Sequence, residues 1–117
     1  MIIPRLTMMI VMKKSKLATI KMIVTNPDDY DLKGFKKSSR PHKKYDAILI
    51  NKKTGVKKEI PFGDTRYDQY RDSTPLRLYS NKDHHDENRK KNYLSRHEKD
   101  SKNKFSSGWF SANYLWK

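Results

Sequence analysis

The sequence predicts an α+β fold: a β-hairpin with an additional N-terminal strand, two or three short helices, and extended basic arms. Three observations carry this. Two runs of strand formers flank a glycine-containing loop near the middle of the chain. Acidic residues followed by basic ones mark a helix over residues 81–99. The cationic surplus is concentrated in the flanks, with +8 over residues 1–45, +2 over 46–80 and +4 over 81–117.

Residues 1–35 read as an N-terminal apolar and basic arm, and residues 36–117 as a small basic domain with an aromatic tail. The run Met1 to Met12 is apolar, but Pro4 and Arg5 interrupt it, and it falls short of the about 20 apolar residues that a membrane span needs. Lys13, Lys14 and Lys16 follow it where a secretory signal would carry a small-residue cleavage site. Residues 18–24 place Ile20, Met22 and Val24 on one face of a strand. Asn26-Pro27-Asp28-Asp29 ends that strand in a turn. Residues 31–44, with six Lys or Arg and no periodicity, read as a basic connector.

The hairpin pairs Tyr45–Ile50 with Val56–Ile60, and Gly55 supplies the positive φ that closes the loop between them. Pro61, which cannot donate to a ladder, is expected to end the second strand. Asp64-Thr65 resembles a helix cap, and residues 66–72 form a short helix with Tyr67 and Tyr70 on one face, stopped by Ser73-Thr74-Pro75. In the longer helix over 81–99, Asp86–Lys90 and Glu87–Lys91 are favourable i,i+4 pairs. The tail holds Phe105, Trp109, Ala112 and Trp116 on one helical stripe, with Phe110 and Tyr114 beside it, and is expected to close the hairpin core.

Hydrophobic and charged residues each make up 34% of the chain, against roughly 45–50% and about 25% in average globular proteins. The core is therefore modest, and a net charge of +14 calls for an anionic partner. The absence of cysteine removes disulfides, thiolate catalysis and Cys-ligated zinc. His84 and His85 are adjacent, so on a helix they point about 100° apart and make a poor metal pair. A His-Asn-His nuclease would need His84 or His85, Asn92 and His97 to converge from different elements, yet all three fall in one predicted helix. No phosphate-cradling glycine loop, catalytic triad order or carboxylate pair stands out. The chain reads as a non-enzyme with no catalytic residues, cofactor, metal or small-molecule substrate.

The candidate sites are instead basic clusters for a polyanion or an acidic surface: Lys13, Lys14 and Lys16; Lys36, Lys37, Arg40, Lys43 and Lys44; Lys52, Lys53, Lys57 and Lys58; Arg89, Lys90 and Lys91. Tyr30, Phe35, Tyr45 and Tyr93 interleave them and offer rings on which unpaired bases could stack. Lysine-rich clusters neutralise phosphates without reading base edges, so DNA bound here is bound non-specifically. Phe105, Trp109, Phe110, Tyr114 and Trp116 are candidate aromatic anchors, in the chain's own core or in a neighbour's.

The ordered combination of Lys43-Lys44-Tyr45-Asp46-Ala47, Lys53-Thr54-Gly55, Pro61-Phe62-Gly63, Tyr67-Asp68-Gln69-Tyr70, Tyr79, Asp83-His84, Asp86, Arg89-Lys90-Lys91-Asn92-Tyr93, Arg96-His97, Gly108-Trp109-Phe110-Ser111 and Tyr114-Leu115-Trp116 resembles small basic uncharacterised proteins of nucleocytoplasmic large DNA viruses, of the chlorovirus and mimivirus type. The resemblance spans roughly residues 36–116. It implies a virion component, on the interior side of the capsid and in the host cell during assembly. The expected role is a minor capsid protein that bridges or cements larger capsid subunits. Its partners would be other capsid and virion proteins, together with viral DNA or the inner membrane surface. Non-specific DNA binding during packaging is the alternative role.

Overall fold

The computed structural model describes residues 26–117, so the arm residues Lys13, Lys14 and Lys16, the apolar run 1–12 and the strand expected over 18–24 lie outside the described residues. The described part is a mixed α+β fold built on a three-stranded antiparallel sheet of order β1-β2-β3, with β1 at Tyr30–Lys37, β2 at Lys43–Asn51 and β3 at Lys57–Asp64. Helices α1 (Glu87–Arg96), α2 (Glu98–Ser101) and α3 (Ser107–Tyr114) follow, and short 3₁₀ turns occupy Pro27–Asp29 and Ser80–Lys82.

The hairpin forms as its alternation dictates. Tyr45, Ala47 and Leu49 point to one face of β2 and are fully buried, opposite Ile60 and Phe62 on β3. Gly55 adopts φ +75°, and its N–H donates to the Asn51 carbonyl at 2.8 Å. The strand does not stop at Pro61. Paired positions alternate between hydrogen-bonded and open, and the Asn51 N–H donates to Val56 at 3.0 Å. By that parity Pro61, opposite Asp46, occupies an open pair, so the ladder loses nothing there. Its carbonyl faces out along the edge and accepts the Ser107 hydroxyl of α3.

The expected basic connector over 31–44 is instead β1 and a short turn. This strand crosses position 35, so residues 30–35 belong to the sheet. A register shift between Leu32 and Gly34 brings Leu32 and Phe35 to the same side, and both pack on the core. Phe35 stands edge-on to Phe62 (5.8 Å) and Phe110 (6.0 Å).

The tail covers this face, as expected, although through a different set of side chains. Phe105, Phe110 and Leu115 are buried with Ala112, whereas Trp109 and Trp116 are only half-buried. Phe110 stacks between Phe62 (5.4 Å) and Phe105 (5.7 Å). The Ser106 hydroxyl caps α3 by accepting the Trp109 N–H at 3.1 Å.

No helix forms over 66–72, and α1 begins at Glu87 rather than 81. Long-range polar contacts override local propensity in both places. The Gln69 amide donates to the Tyr79 carbonyl (2.7 Å) and to Asp83 (2.6 Å), while the Gln69 and Asp83 backbones form a parallel bridge. Asp72 is fully buried and accepts from the Tyr45 hydroxyl (2.5 Å), the Thr74 amide (3.0 Å) and hydroxyl (2.7 Å), and the Tyr79 amide (3.1 Å). His85 takes φ +54°, outside any helix, and Asp86 then caps α1 through the Asn88 and Arg89 amides. Asp86 and Glu87 therefore serve the cap and the Tyr70 hydroxyl rather than the expected i,i+4 lysines.

Candidate functional site

Where the start of β2 and the end of β3 meet α1 and the end of the tail, the surface opens into a cleft of about 560 Å³. Its walls come from Lys43, Lys44, Gly63 and Asp64 on the sheet, Tyr67 and Asp68 on the following loop, Arg89, Asn92, Tyr93, Arg96 and His97 at the helix, and Ser111, Leu115 and Trp116 on the tail. Residues 89, 92, 93 and 96 follow i, i+3, i+4, i+7 spacing, the pattern of one helix face. On an ordinary surface helix that face is apolar and meets the core; here it is cationic and meets a cleft.

Lys44 sits at the floor. Its side chain is fully buried, and its ammonium donates to the Tyr67 carbonyl at 2.8 Å and to the Gln69 side-chain oxygen. Burial, reinforced by nearby Lys82, lowers its pKa to about 8. Gly63, at φ +79°, permits this packing: a Cβ there would stand 2.9 Å from Leu115 Cδ1 and 3.1 Å from the Lys44 stem. Beside Gly63 on the sheet, Arg66 grips Asp64 through Nε and Nη2 at 3.0 and 2.8 Å and holds its carboxyl well below the usual range. Asp68 lies 4.0 Å from the Lys82 ammonium. Lys43, Arg89 and Arg96 carry no ion pair with a described residue, so the cleft has a cationic surplus.

The aromatic side of the cleft is closed on itself. Tyr93 is sandwiched between Trp116 (4.1 Å, 4° between planes) and His97 (4.2 Å, 27°), and Trp116 meets a tilted His84 ring at 5.3 Å (56°). His84 and His97 are thus separated by two rings, so His84 does not meet His97, and the ring nearest His85 is Tyr70 at 5.8 Å. Among the described residues no cluster of His, Asp or Glu is placed to hold a metal, and no helix is long and apolar enough to cross a membrane.

The basic clusters are dispersed. Lys36 and Lys57 pair with Glu59 (3.0 and 3.5 Å), Lys52 with Asp31 (3.8 Å) and Lys53 with Asp29 (3.6 Å). Lys58 lies over Tyr30 and Lys90 over Tyr70, while the Arg40 amide joins the Ser38 turn. Lys37 and Lys91 are exposed away from these pairs. Of the predicted set, the cleft collects Lys43, Lys44 and Arg89, and burial removes Lys44 from any role at the surface. Arg96 and Tyr67 are the additions; the Arg89–Arg96 spacing was the available signal for the first.

The predicted stacking rings are also engaged, with Tyr45 fully buried, Phe35 and Tyr30 packed against the core, Lys58 over the Tyr30 ring, and Tyr93 covered on both faces. All five aromatic anchors engage the chain's own fold: Phe105 and Phe110 inside the core, Trp109 and Tyr114 packed against it, Trp116 on Tyr93. Comparison with known proteins returns no matching family model, no matching curated protein and no matching solved structure.

Proposed function

We propose that this chain is a non-enzymatic structural protein of a large double-stranded DNA virus particle, a minor capsid protein that cements larger subunits through their acidic surfaces. The observation that supports this reading is the internal engagement of the acidic side chains. Residues 26–117 hold 22 Lys or Arg against 13 Asp or Glu. Asp72 and Asp83 brace the loop, Asp86 caps α1, Glu87 meets Tyr70, and Glu59 and Asp64 have cations of their own. Lys43, Arg89 and Arg96, with no ion pair among the described residues, are available to counter-charges on another molecule. Exposed pairs of this kind weaken with salt, so such a contact is stable only where many act together or where a cleft excludes water.

DNA packaging is the second reading, favoured by the surplus of Lys and Arg over Asp and Glu across residues 26–117. Fractionation of purified particles into shell and DNA–protein core separates the two, with the chain quantified by mass spectrometry. The capsid reading expects it in the shell at a fixed ratio to the major subunit. Recovery only with the core would favour packaging, and absence from particles would refute both.

A further inference from the structure

We infer that the cleft between α1 and the β2–β3 end is a docking groove for an extended acidic peptide segment of a partner protein. This rests on the capsid reading for the source of the segment, but the binding itself is read in solution, independently of where the chain resides.

The cationic wall sets the spacing. Arg89 and Arg96 are seven residues apart on one helix face, or about 10 Å along the axis at 1.5 Å per residue. An extended peptide in the polyproline II conformation has three residues per turn and advances about 3.1 Å per residue, so carboxylates at positions i and i+3 share one face about 9 Å apart, close to the same span. Guanidinium groups with no internal partner can take such carboxylates in two-pronged fashion, and Lys43 adds a third charge at the sheet end. The cleft's volume is that of a site for a short chain segment.

The carboxylates in the lining favour peptide over nucleic acid. Asp64, beside Lys43 on the sheet, and Asp68 on the following loop line the cleft, and a peptide carries an N–H at each residue to donate to them. A phosphodiester backbone has no donor to offer and brings only repulsion to those carboxylates. Bases would find Tyr93 already covered by Trp116 and His97, and Trp116 already stacked on Tyr93 and in contact with His84. Tyr67 is the exposed ring at the rim, and the Arg66 guanidinium lies 5.8 Å from its centroid.

The test uses the full chain and two fluorescein-labelled octapeptides of glycine carrying two glutamates, spaced i,i+3 in one and adjacent in the other. Binding is read by anisotropy at low salt, with a six-nucleotide single strand as the competing probe. The spaced peptide is expected to bind at least five-fold tighter than the adjacent one. Arg89→Gln with Arg96→Gln should weaken it at least ten-fold, while Lys33→Gln with Lys99→Gln, the same charge change away from the cleft, should leave it within two-fold. Arg89→Lys with Arg96→Lys keeps the charge and loses the fork, so an intermediate loss is expected. Equal losses in the cleft and control variants, or no preference for spacing, would overturn the groove. So would an oligonucleotide that binds more tightly than either peptide and is the probe lost on Arg89→Gln with Arg96→Gln. Circular dichroism establishes that each variant is folded.

Discussion

Replacing Tyr45 by phenylalanine removes one oxygen from the most connected polar contact in the molecule. The Tyr45 hydroxyl donates to Asp72 at 2.5 Å and accepts the Leu78 amide at 2.8 Å, at a side chain with no solvent exposure. In the variant, Asp72 loses its shortest donor and the Leu78 N–H loses its acceptor. A hydrogen bond to a charged group contributes about 1.5–3 kcal/mol and an orphaned amide costs about 1 kcal/mol or more, so Tyr45→Phe should lose about 3 kcal/mol at pH 7. In a unit of this size that lowers the melting temperature by roughly 12–24 °C. The pH dependence supplies a second reading of the same bond. Burial, together with the Asp72 hydrogen bond, raises the Tyr45 pKa from 10.0 to about 12. A raised folded-state pKa means stability fully present below pH 10 and lost as pH climbs towards 12, where the unfolded tyrosine ionises first. The phenylalanine variant has no proton to lose at this position, so the difference between the two proteins should close over that window, again by about 3 kcal/mol. Urea titrations of both proteins at pH 7, 10 and 11.5 give that difference directly. A gap that stays constant across the series, or is absent at pH 7, would refute the assignment.

Lys44 acts in the opposite sense. Its pKa is lowered from 10.5 to about 8, so the folded state releases this proton before the unfolded state does, and stability should rise by about 3 kcal/mol between pH 8 and 10.5. Lys44→Met should flatten the urea-derived stability across that interval. Gly63→Ala places a Cβ against Leu115 and the Lys44 stem at a left-handed position, at a cost of about 2–3 kcal/mol, visible as a lower thermal midpoint. Trp116→Ala removes the ring that joins α1 to the tail and should cost about 2 kcal/mol. It should also quicken hydrogen exchange in α1 before it does so in the sheet.

The parts legible in the sequence are those where neighbours in the chain settle the structure. The strand formers of Tyr45–Ile50 and Val56–Ile60, the loop glycine at 55 and the aromatic tail all led to the observed hairpin and its cover. The misread segments are governed by distant partners or by a break in periodicity. The bulge at Leu32–Gly34 shifts alternation by one, so Leu32 and Phe35 look unrelated although both face the core. Residues 66–72 have helical spacing, yet Gln69 bonds to Asp83 and Asp72 to Tyr45, across a separation that no local pattern records. The same holds for the cleft. Lys43-Lys44 reads as one basic patch, but the carbonyl of Tyr67 and the side-chain oxygen of Gln69 draw the Lys44 ammonium inside. Arg96 stood outside the Arg89-Lys90-Lys91 cluster because that grouping followed chain adjacency, whereas the cleft follows the helical turn.

The lid over the sheet is built from residues after 105, and its clasp, Ser107 on Pro61, spans 46 positions. A nascent chain that has completed β3 therefore offers Leu49, Ile60 and Phe62 on a bare hydrophobic surface for as long as translation of the next forty residues takes. During that interval the half-made sheet is open to illegitimate pairing with other copies, and ribosome pausing within residues 65–104 would prolong the hazard.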